Sequence, residues 1–306
     1  MNGPVIECVP NFSEGTDRRA VEAIVAAMRV PEVRLLDWSM DADHNRSVVT
    51  IAGPPAAVVE AAVRGAGKAV ELIDLTRQRG VHPRIGAADV IPFVPVAGIR
   101  LEQCAMLARQ AGLEIWRRFG VPVFFYEAAA ARPDRANLED VRRGQFEGLR
   151  EAVNRDPSRR PDLGGPGLHP TAGACAVGAR KFLVAYNIYF DSPDMAMVRA
   201  IAREIRAATG GLKGVKAMGV LAHGRAQLSM NITDFEVTSI AQVYRKVQSL
   251  AAQHRVQLAE GELIGLVPEA ACERESDWMR QLSGFDPQTK ILERRLGEPL
   301  SWPGEA

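Results

Sequence analysis

The order of hydrophobic patterns along the chain predicts an α+β fold made of two βαββαβ lobes. Runs typical of strands and helices follow one another as strand, helix, strand, strand, helix, strand over residues 5–96, and the same order returns over residues 182–267. A glycine- and proline-rich stretch at 161–176 separates the two series. This order is that of ferredoxin-like folds, whose open sheet faces can be buried against each other. We therefore expect two lobes, residues 1–177 and 178–306, packed sheet to sheet as a double α/β sandwich with the helices outside.

Each strand of the first lobe is predicted from a short apolar or β-branched run. These runs are residues 5–9, 33–36, 47–52, 90–96 and 121–126. Helical spacing of apolar residues predicts helices over 21–28, 54–73, 101–119 and 138–153. The run at 90–96 gives two conflicting indications, because its apolar content indicates burial on both faces whereas Pro92 and Pro95 favour an edge strand or a bulge.

The second lobe is predicted in the same way. Its apolar runs indicate strands over residues 182–190, 215–221, 226–232 and 262–267. Apolar residues at helical spacing predict a helix around 198–205. Ser239, followed three residues later by Gln242, is typical of a capping box and predicts the start of the last helix of this lobe. A groove between the two lobes is the expected ligand site.

Composition excludes several classes of function. The 306 residues include 38 basic and 37 acidic side chains, so the net charge of +1 gives no overall field for nucleic acid or an anionic membrane. The four cysteines are far apart, lack zinc-site spacing and are typical of thiols in a reducing compartment. No basic leader and no long apolar run is present, so we expect a cytoplasmic protein that does not bind membranes.

The stretch from residue 80 to residue 95 carries the candidate chemistry. His82, Arg84 and Asp89 place an imidazole, a guanidinium and a carboxylate in one short loop between a predicted helix and a predicted strand. Pro83 disfavours helical backbone at the histidine, so its ring is expected on extended chain. An unperturbed histidine has a pKa near ~6.5 and can therefore take up and release a proton at neutral pH. The ordinary alternative is a loop histidine that is exposed or merely hydrogen-bonded.

Other polar residues have both a functional and a structural interpretation. Arg46, at the start of a strand, can direct a guanidinium fork at a carboxylate or can be a surface arginine. Asn187 lies in an apolar strand, where it can contact a ligand or satisfy a core hydrogen bond. The acidic residues and histidine at 41–44 lack a third ligand at suitable spacing, so no metal site is expected. No dinucleotide-binding, P-loop or nucleophile-elbow pattern occurs in the sequence.

Four motifs together resemble the glutamate formimidoyltransferase family. They are ECVPNFSEG at 7–15, HPRIGAAD at 82–89, GARKFLVAYNI at 178–188 and NITDFEVT at 231–238. The likeness runs from residue 5 to about residue 267, and we expect a stand-alone form related to the transferase part of formimidoyltransferase-cyclodeaminase. The resemblance implies transfer of a formimidoyl group from N-formimidoyl-L-glutamate to N5 of tetrahydrofolate, in histidine degradation and one-carbon metabolism. It also implies tetrahydrofolate as co-substrate, no metal, and a homodimer.

The resemblance implies roles for particular residues. His82 would be the catalytic residue, accepting the proton that folate N5 loses and returning one to the leaving glutamate amine. Arg46 and Arg84 are the candidates for the glutamate carboxylates, with Asp43 and Asp89 as orienting partners and Asn187 as a further substrate contact. The implied folate contacts are Leu163, Gly164, Gly165, Pro166, Gly167, Leu168, His169, Pro170, Thr171 and Ala172.

Three alternatives stay open at the level of sequence. The same scaffold could transfer a formyl group from N-formylglutamate, because the two donors differ only by an imine against a carbonyl. A catalytically inactive protein that binds reduced folate is a second alternative. A hydrolase of formimidoylglutamate that requires no folate is the third. The sequence decides neither the donor nor a preference for polyglutamated folate.

Overall fold

A computed structural model of the protein describes residues 3–272 and 277–305. The chain divides into two compact units. The first unit consists of Met1–Arg180 together with Pro299–Ala306, and the second is Lys181–Glu298. Each unit has its own hydrophobic core.

The boundary between the units differs from the sequence-based boundary after residue 177. The chain up to Arg180 belongs to the first unit because the preceding strand, Cys175–Ala179, is hydrogen-bonded into the sheet of that unit. Arg180 itself donates its backbone N–H to the carbonyl oxygen of Phe93 at 3.1 Å. The last residues of the chain return to the first unit, where the backbone N–H of Leu300 donates to the carbonyl oxygen of Leu35 at 2.8 Å.

The first unit is built on one mixed sheet. Its strands are β1 (Val5–Cys8), β2 (Asn11–Phe12), β3 (Arg34–Asp41), β4 (Arg46–Gly53), β5 (Ala88–Ala97), β6 (Val123–Glu127) and β7 (Cys175–Ala179). Both β1 and β2 lie between β4 and β5, so the order across the sheet is β3, β4, β1 with β2, β5, β7, β6. Strand β7 runs parallel to β5 and β6, and the other pairings are antiparallel.

Five α-helices within residues 3–180 of the first unit flank this sheet. They are α1 (Arg18–Ala27), α2 (Pro55–Leu72), α3 (Leu101–Phe119), α4 (Leu138–Val141) and α5 (Gln145–Arg155). The apolar faces of α1, α2 and α3 pack on one side of the sheet in a single cluster. On the opposite side, Phe124 and Tyr126 of β6 pack against Val141, Leu149 and Val153. The single helix expected over 138–153 is therefore two helices, and the turn between them directs Arg142 towards β5.

The position of β5 shows whether this strand is buried inside the sheet or lies at its edge. The strand is interior, because it pairs with β1 and β2 on one side and with β7 on the other. Pro92 lies opposite the break between β1 and β2, where its carbonyl oxygen accepts the backbone N–H of Val9 at 3.3 Å. Pro95 pairs with Ile6 next to a register shift. The prolines are thus accommodated by irregular pairing, which is how a strand without two N–H donors can stay inside a sheet.

The second unit is smaller and carries an antiparallel sheet. Its strands are β8 (Val184–Phe190), β9 (Val215–Ala222), β10 (Arg225–Ile232) and β11 (Leu258–Ile264), in the order β11, β8, β10, β9. Its helices are α6 (Met195–Ile205), α7 (Ile240–Gln253), α8 (Asp277–Arg280), α9 (Pro287–Lys290) and α10 (Leu292–Gly297). The predicted capping box opens α7, with Gln242 N–H donating to Ser239 Oγ at 3.2 Å and Ser239 N–H donating to Gln242 Oε1 at 2.9 Å.

The fold is therefore α+β with two sheets and flanking helices. Strand, helix, strand, strand, helix, strand is the order from β8 to β11, and it is also the order from β1 to β5 once the additional two-residue strand β2 is set aside. Short runs of small residues, such as β7, and the two-residue β2 were not predicted as strands. Among the described helices, none combines the length and the apolar character needed to cross a membrane.

Candidate active site

His82 lies in the loop between α2 and β5 and is partly buried. Its Nδ1 atom is 2.8 Å from the carbonyl oxygen of Pro83. A carbonyl oxygen only accepts hydrogen bonds, so this contact assigns the proton to Nδ1 and leaves the lone pair on Nε2. Burial, followed by the positive charges of Arg46 and Arg142, holds the pKa of His82 well below its usual value. The ring is therefore neutral at pH 7, with Nε2 as its basic atom.

Two arginines share the carboxylate of Asp89, which is fully buried. Asp89 Oδ2 accepts from Nη1 of Arg46 at 2.8 Å and from Nη2 of Arg142, while Oδ1 accepts the backbone N–H of Ile85 at 2.8 Å. Burial alone would raise the pKa of this carboxyl, but Arg142 and Arg46 outweigh burial and hold the pKa below its usual value. The three charges, brought together from β4, β5 and the turn after α4, leave one net positive charge beside His82.

Arg46 is held from a second side as well. Its Nε atom donates to Oδ1 of Asn11 at 3.0 Å, and Asn11 belongs to the short strand β2. Burial, and then the charge of Arg142, lower the pKa of Arg46 to about 10. The guanidinium is still charged at neutral pH, so Arg46 is a fixed cation at the site rather than a mobile surface arginine.

Arg84 has a different environment from the one expected of a substrate ligand. It is only 6% exposed, and all five of its N–H groups have acceptors. Nε donates to Gln78 Oε1 at 2.7 Å, and the two terminal nitrogens form a bidentate pair with Glu147 at 2.9 and 2.8 Å. The remaining donors reach the carbonyl oxygen of Gln78 and the side chain of Gln145. Arg84 therefore ties the His82 loop to α5.

The turn between β3 and β4 lies next to the His82 loop. Its backbone carbonyl at Asp43 accepts the N–H of Val81 at 3.1 Å. His44, in the same turn, donates its backbone N–H to Asp41 Oδ1 at 2.8 Å, and its Nδ1 atom is 2.9 Å from the same oxygen. The centroid of the His44 ring is 6.2 Å from that of His82. Two imidazoles thus share this part of the first unit.

The glycine-rich loop predicted to contact folate is joined to the His82 loop by backbone hydrogen bonds. The N–H of Ala87 donates to the carbonyl oxygen of Ala172, and the N–H of Ala174 donates to that of Ile85, both at 2.9 Å. Between these bonds a Cβ atom at Gly86 would lie 2.0 Å from the carbonyl oxygen of Ala174, so only glycine fits. The close approach at this glycine is therefore made by the protein's own backbone.

His169 has the opposite tautomer to His82. Its Nδ1 atom accepts the backbone N–H of Ala172 at 3.0 Å, so in the neutral ring the proton is on Nε2. Burial lowers the pKa of His169. Its backbone also exchanges two hydrogen bonds with Gly173, at 2.8 and 3.1 Å. The ring is thus fixed within the loop and presents an N–H donor.

The structure brings most of the predicted site residues together in the first unit, but not all of them. Asn187 lies on β8 of the second unit, where its Nδ2 atom donates to Glu262 Oε2 at 3.2 Å. Arg142 and Asn11 were not singled out from the sequence. Asn11 lies inside the motif at 7–15, which was a usable signal, whereas nothing in the local sequence marks Arg142. In the described ranges 3–272 and 277–305, no group of three metal-ligating side chains could hold a metal ion.

The comparisons with family models and with known relatives all indicate the same family. The formiminotransferase domain, N-terminal subdomain, matches residues 5–180, and the formiminotransferase domain matches residues 185–286. Glutamate formimidoyltransferase of Streptococcus pyogenes serotype M1 is 42% identical over 295 residues, which cover 95% of this chain and 98% of the relative. Glutamate formimidoyltransferase of Thermoplasma acidophilum is 43% identical over 297 residues, covering 95% and 97%. Formimidoyltransferase-cyclodeaminase of Gallus gallus is 40% identical over 87% of this chain and 51% of its own length. The chain belongs to the formiminotransferase family.

Proposed function

We propose that this protein transfers the formimidoyl group of N-formimidoyl-L-glutamate to N5 of tetrahydrofolate, releasing L-glutamate, as a step of histidine degradation that supplies one-carbon metabolism. The observation that carries this proposal is the identity of 42% and 43%, over 95% of the chain, to two proteins named glutamate formimidoyltransferase. The site also fits such a transfer, because a neutral histidine lies beside a cluster of Arg46, Arg142 and Asp89 that carries one net positive charge.

His82 is the proposed general base. Bound tetrahydrofolate supplies the nucleophile, its N5 amine, for attack on the formimidoyl carbon. Nε2 of His82 carries a lone pair because Nδ1 donates to Pro83, so it can take the proton that N5 loses. General acid-base help of this kind is typically worth about 10² to 10⁴ in rate, whereas holding two reactants together can supply ~7 kcal/mol or more. Positioning of the two substrates therefore outweighs proton transfer.

Arg46 and Arg142 are the proposed contacts for the carboxylates of the glutamate derivative. Together with Asp89 they leave one positive charge uncompensated in a largely buried setting, where a carboxylate is attracted strongly. Arg84 is a weaker candidate than the sequence indicated, because each of its five N–H groups already has an acceptor within the protein. Asp43 and Asn187 stay predictions as substrate contacts.

The loop at 163–172 is the proposed folate contact. Its end is hydrogen-bonded to the His82 loop through Ala87 and Ala172, so a ligand held there lies near the catalytic histidine. His169 presents a fixed N–H donor and Gly164 has a positive φ of 76°. Such loops can offer backbone groups to the amide and ring nitrogens of a pterin. Cytoplasmic location and the homodimer stay predictions.

The donor and the role of His82 can be tested in one set of assays. We expect turnover of N-formimidoyl-L-glutamate that depends on tetrahydrofolate, and none with N-formyl-L-glutamate. His82→Ala should lower turnover by at least ~10²-fold while tetrahydrofolate binding stays nearly unchanged. His254→Ala, at an exposed position after α7 in the second unit, is the matched control. Turnover of N-formyl-L-glutamate alone would show that the protein transfers a formyl group instead. Full activity of His82→Ala would show that His82 has no part in the mechanism.

A further inference from the structure

A second histidine stands close enough to His82 to take part in the same reaction. The ring centroids of His44 and His82 are 6.2 Å apart and the planes are inclined by 50°. Both rings are mostly but not completely buried, with 13% of the His44 side chain exposed. Each ring therefore keeps access to a ligand while its orientation is held by the protein.

The hydrogen bonds assign the same tautomer to both rings. Nδ1 of His44 lies 2.9 Å from Asp41 Oδ1, which can only accept, just as Nδ1 of His82 contacts the carbonyl oxygen of Pro83. The Asp41 oxygen accepts from His44 whether or not Nε2 carries a proton, so it fixes the ring in both protonation states. In both histidines Nε2 is the atom left for proton exchange.

The two rings differ in the charges around them. His82 lies beside Arg46 and Arg142, whose charges help to keep it neutral, with Asp89 between the arginines. His44 is bonded to the carboxylate of Asp41 instead. Pairs of titratable groups whose surroundings differ in this way are typical of sites in which one group accepts a proton and the other donates one.

We propose that His44 is a second catalytic residue, which protonates the glutamate nitrogen as it leaves while His82 accepts the proton from N5. This inference rests on the proposed function. With a single histidine, the ring must take a proton from one nitrogen and deliver it to another. Two fixed rings remove that movement, since hydrogen bonds of about 2.6–3.2 Å from each Nε2 can reach two nitrogens attached to one carbon.

The proton and electron balance closes without any other reactant. The bond between N5 and the formimidoyl carbon forms with the lone pair of N5, and the N5 proton goes to Nε2 of His82. The bond between that carbon and the glutamate nitrogen breaks, its electron pair stays on the nitrogen, and the nitrogen takes a proton from Nε2 of His44. The enzyme ends with one proton more on His82 and one fewer on His44, and exchange with solvent restores the starting state.

The test is His44→Gln, which keeps an N–H donor for Asp41 but cannot transfer a proton. We expect kcat to fall by about 10²-fold, with KM for both substrates changed by no more than about twofold. The basic limb of the kcat profile against pH, which reports the group that must be protonated, should disappear while the acid limb due to His82 stays. His254→Gln is the matched control and should keep both limbs.

A second measurement uses the ligand-free protein. Nitrogen-15 NMR of the two histidines should show Nδ1 protonated in the neutral form of His44, and Asp41→Asn should weaken that preference. A proton on Nε2 of neutral His44 would overturn the assignment. Unchanged kcat in His44→Gln would overturn it as well, and so would a loss of activity with both pH limbs intact, because that pattern belongs to a positioning residue. Wild-type protein without transferase activity would instead overturn the proposed function, and the role of His44 with it.

Discussion

His82 owes its neutral state to burial and to charged residues that are distant in sequence. Its ring is held by the neighbouring carbonyl of Pro83, but the charges that act on it come from Arg46 on β4 and Arg142 after α4. Asp89 neutralises only one of these two cations. A histidine in this position is a base that is available at every pH near neutrality, although a weak one, so most of the rate must come from positioning.

Removing one of the cations should make His82 easier to protonate. In Arg142→Met the remaining pair of Arg46 and Asp89 is neutral, so imidazolium is less disfavoured and the pKa of His82 should rise towards its usual value. The acid limb of kcat/KM should then move to higher pH, and NMR titration of the His82 ring should show the same direction.

Arg143→Met provides the control for that change. Arg143 is the next residue, but its side chain is exposed and ion-paired with Asp140. Its removal should leave the titration of His82 where it is in the wild type. A pKa of His82 that stays constant or falls in Arg142→Met would show that Arg142 does not govern the protonation of the ring.

At the scale of elements, the pair of Arg84 and Glu147 connects the catalytic loop to α5. Hydrogen bonds from Arg84 lower the pKa of Glu147 to about 2. Because the folded-state pKa lies below the unfolded value, the pair stabilises the protein at neutral pH, and this contribution is lost as the pH falls from about 4.3 towards about 2. Glu147 is 55% exposed, so solvent screening reduces the contribution to about 1 kcal/mol.

The variant Glu147→Gln should therefore be less stable than the wild type by about 1 kcal/mol at pH 7, and the difference should shrink below pH ~4. Urea unfolding at pH 7 and pH 3 measures both values. Glu151→Gln on the same helix is the control, because its partner Arg155 is 3.8 Å away and both side chains are exposed. An equal deficit of Glu147→Gln at both pH values would rule out the ion pair as its cause.

Hydrophobic periodicity predicted the helices and strands that bury a continuous apolar face. It missed the strands that are defined only by pairing with neighbouring strands. Helices α2 and α3 begin and end close to the expected residues, because proline at the start of α2 and glycine after α3 are strong local signals. Strand β7 was not predicted, since its sequence CAVGA contains mostly small residues and its strand character comes from pairing with β5 and β6. Such pairing is a tertiary effect that local preference does not contain.

At the scale of the whole molecule, the sequence singled out the loop of the candidate site but not the partners of its side chains. His82, Arg46 and Asp89, which were singled out from the sequence, lie together in the structure, whereas Arg142 lies 53 residues from Asp89 and has no local signal. Arg84 was assigned to substrate by residue type, yet its environment depends on Glu147, 63 residues away. Contacts over such separations are fixed by topology. The packing of the two sheets against each other stays a prediction.

The division into two units predicts which unit a substitution near the end of the chain destabilises. Trp302 is 9% exposed and packs in the core of the first unit, and Leu300 pairs with Leu35 of β3. Trp302→Ala should cost about 3 kcal/mol, the lower end of the usual range for a buried aromatic residue. Because the lost contacts belong to the first unit, hydrogen exchange measured by mass spectrometry should show reduced protection in β3 and unchanged protection in β8 and β10.

Trp278→Ala is the reciprocal control. Trp278 is fully buried in the second core, with its ring centroid 6.1 Å from those of Tyr186 and Phe285. Its removal should reduce protection in β8 and leave β3 unchanged. The two variants are expected to lose protection on opposite sides of the boundary at Arg180, so a general loss of stability cannot produce both patterns. Loss of protection throughout Lys181–Glu298 in Trp302→Ala would mean that the two units open together rather than as separate cooperative units.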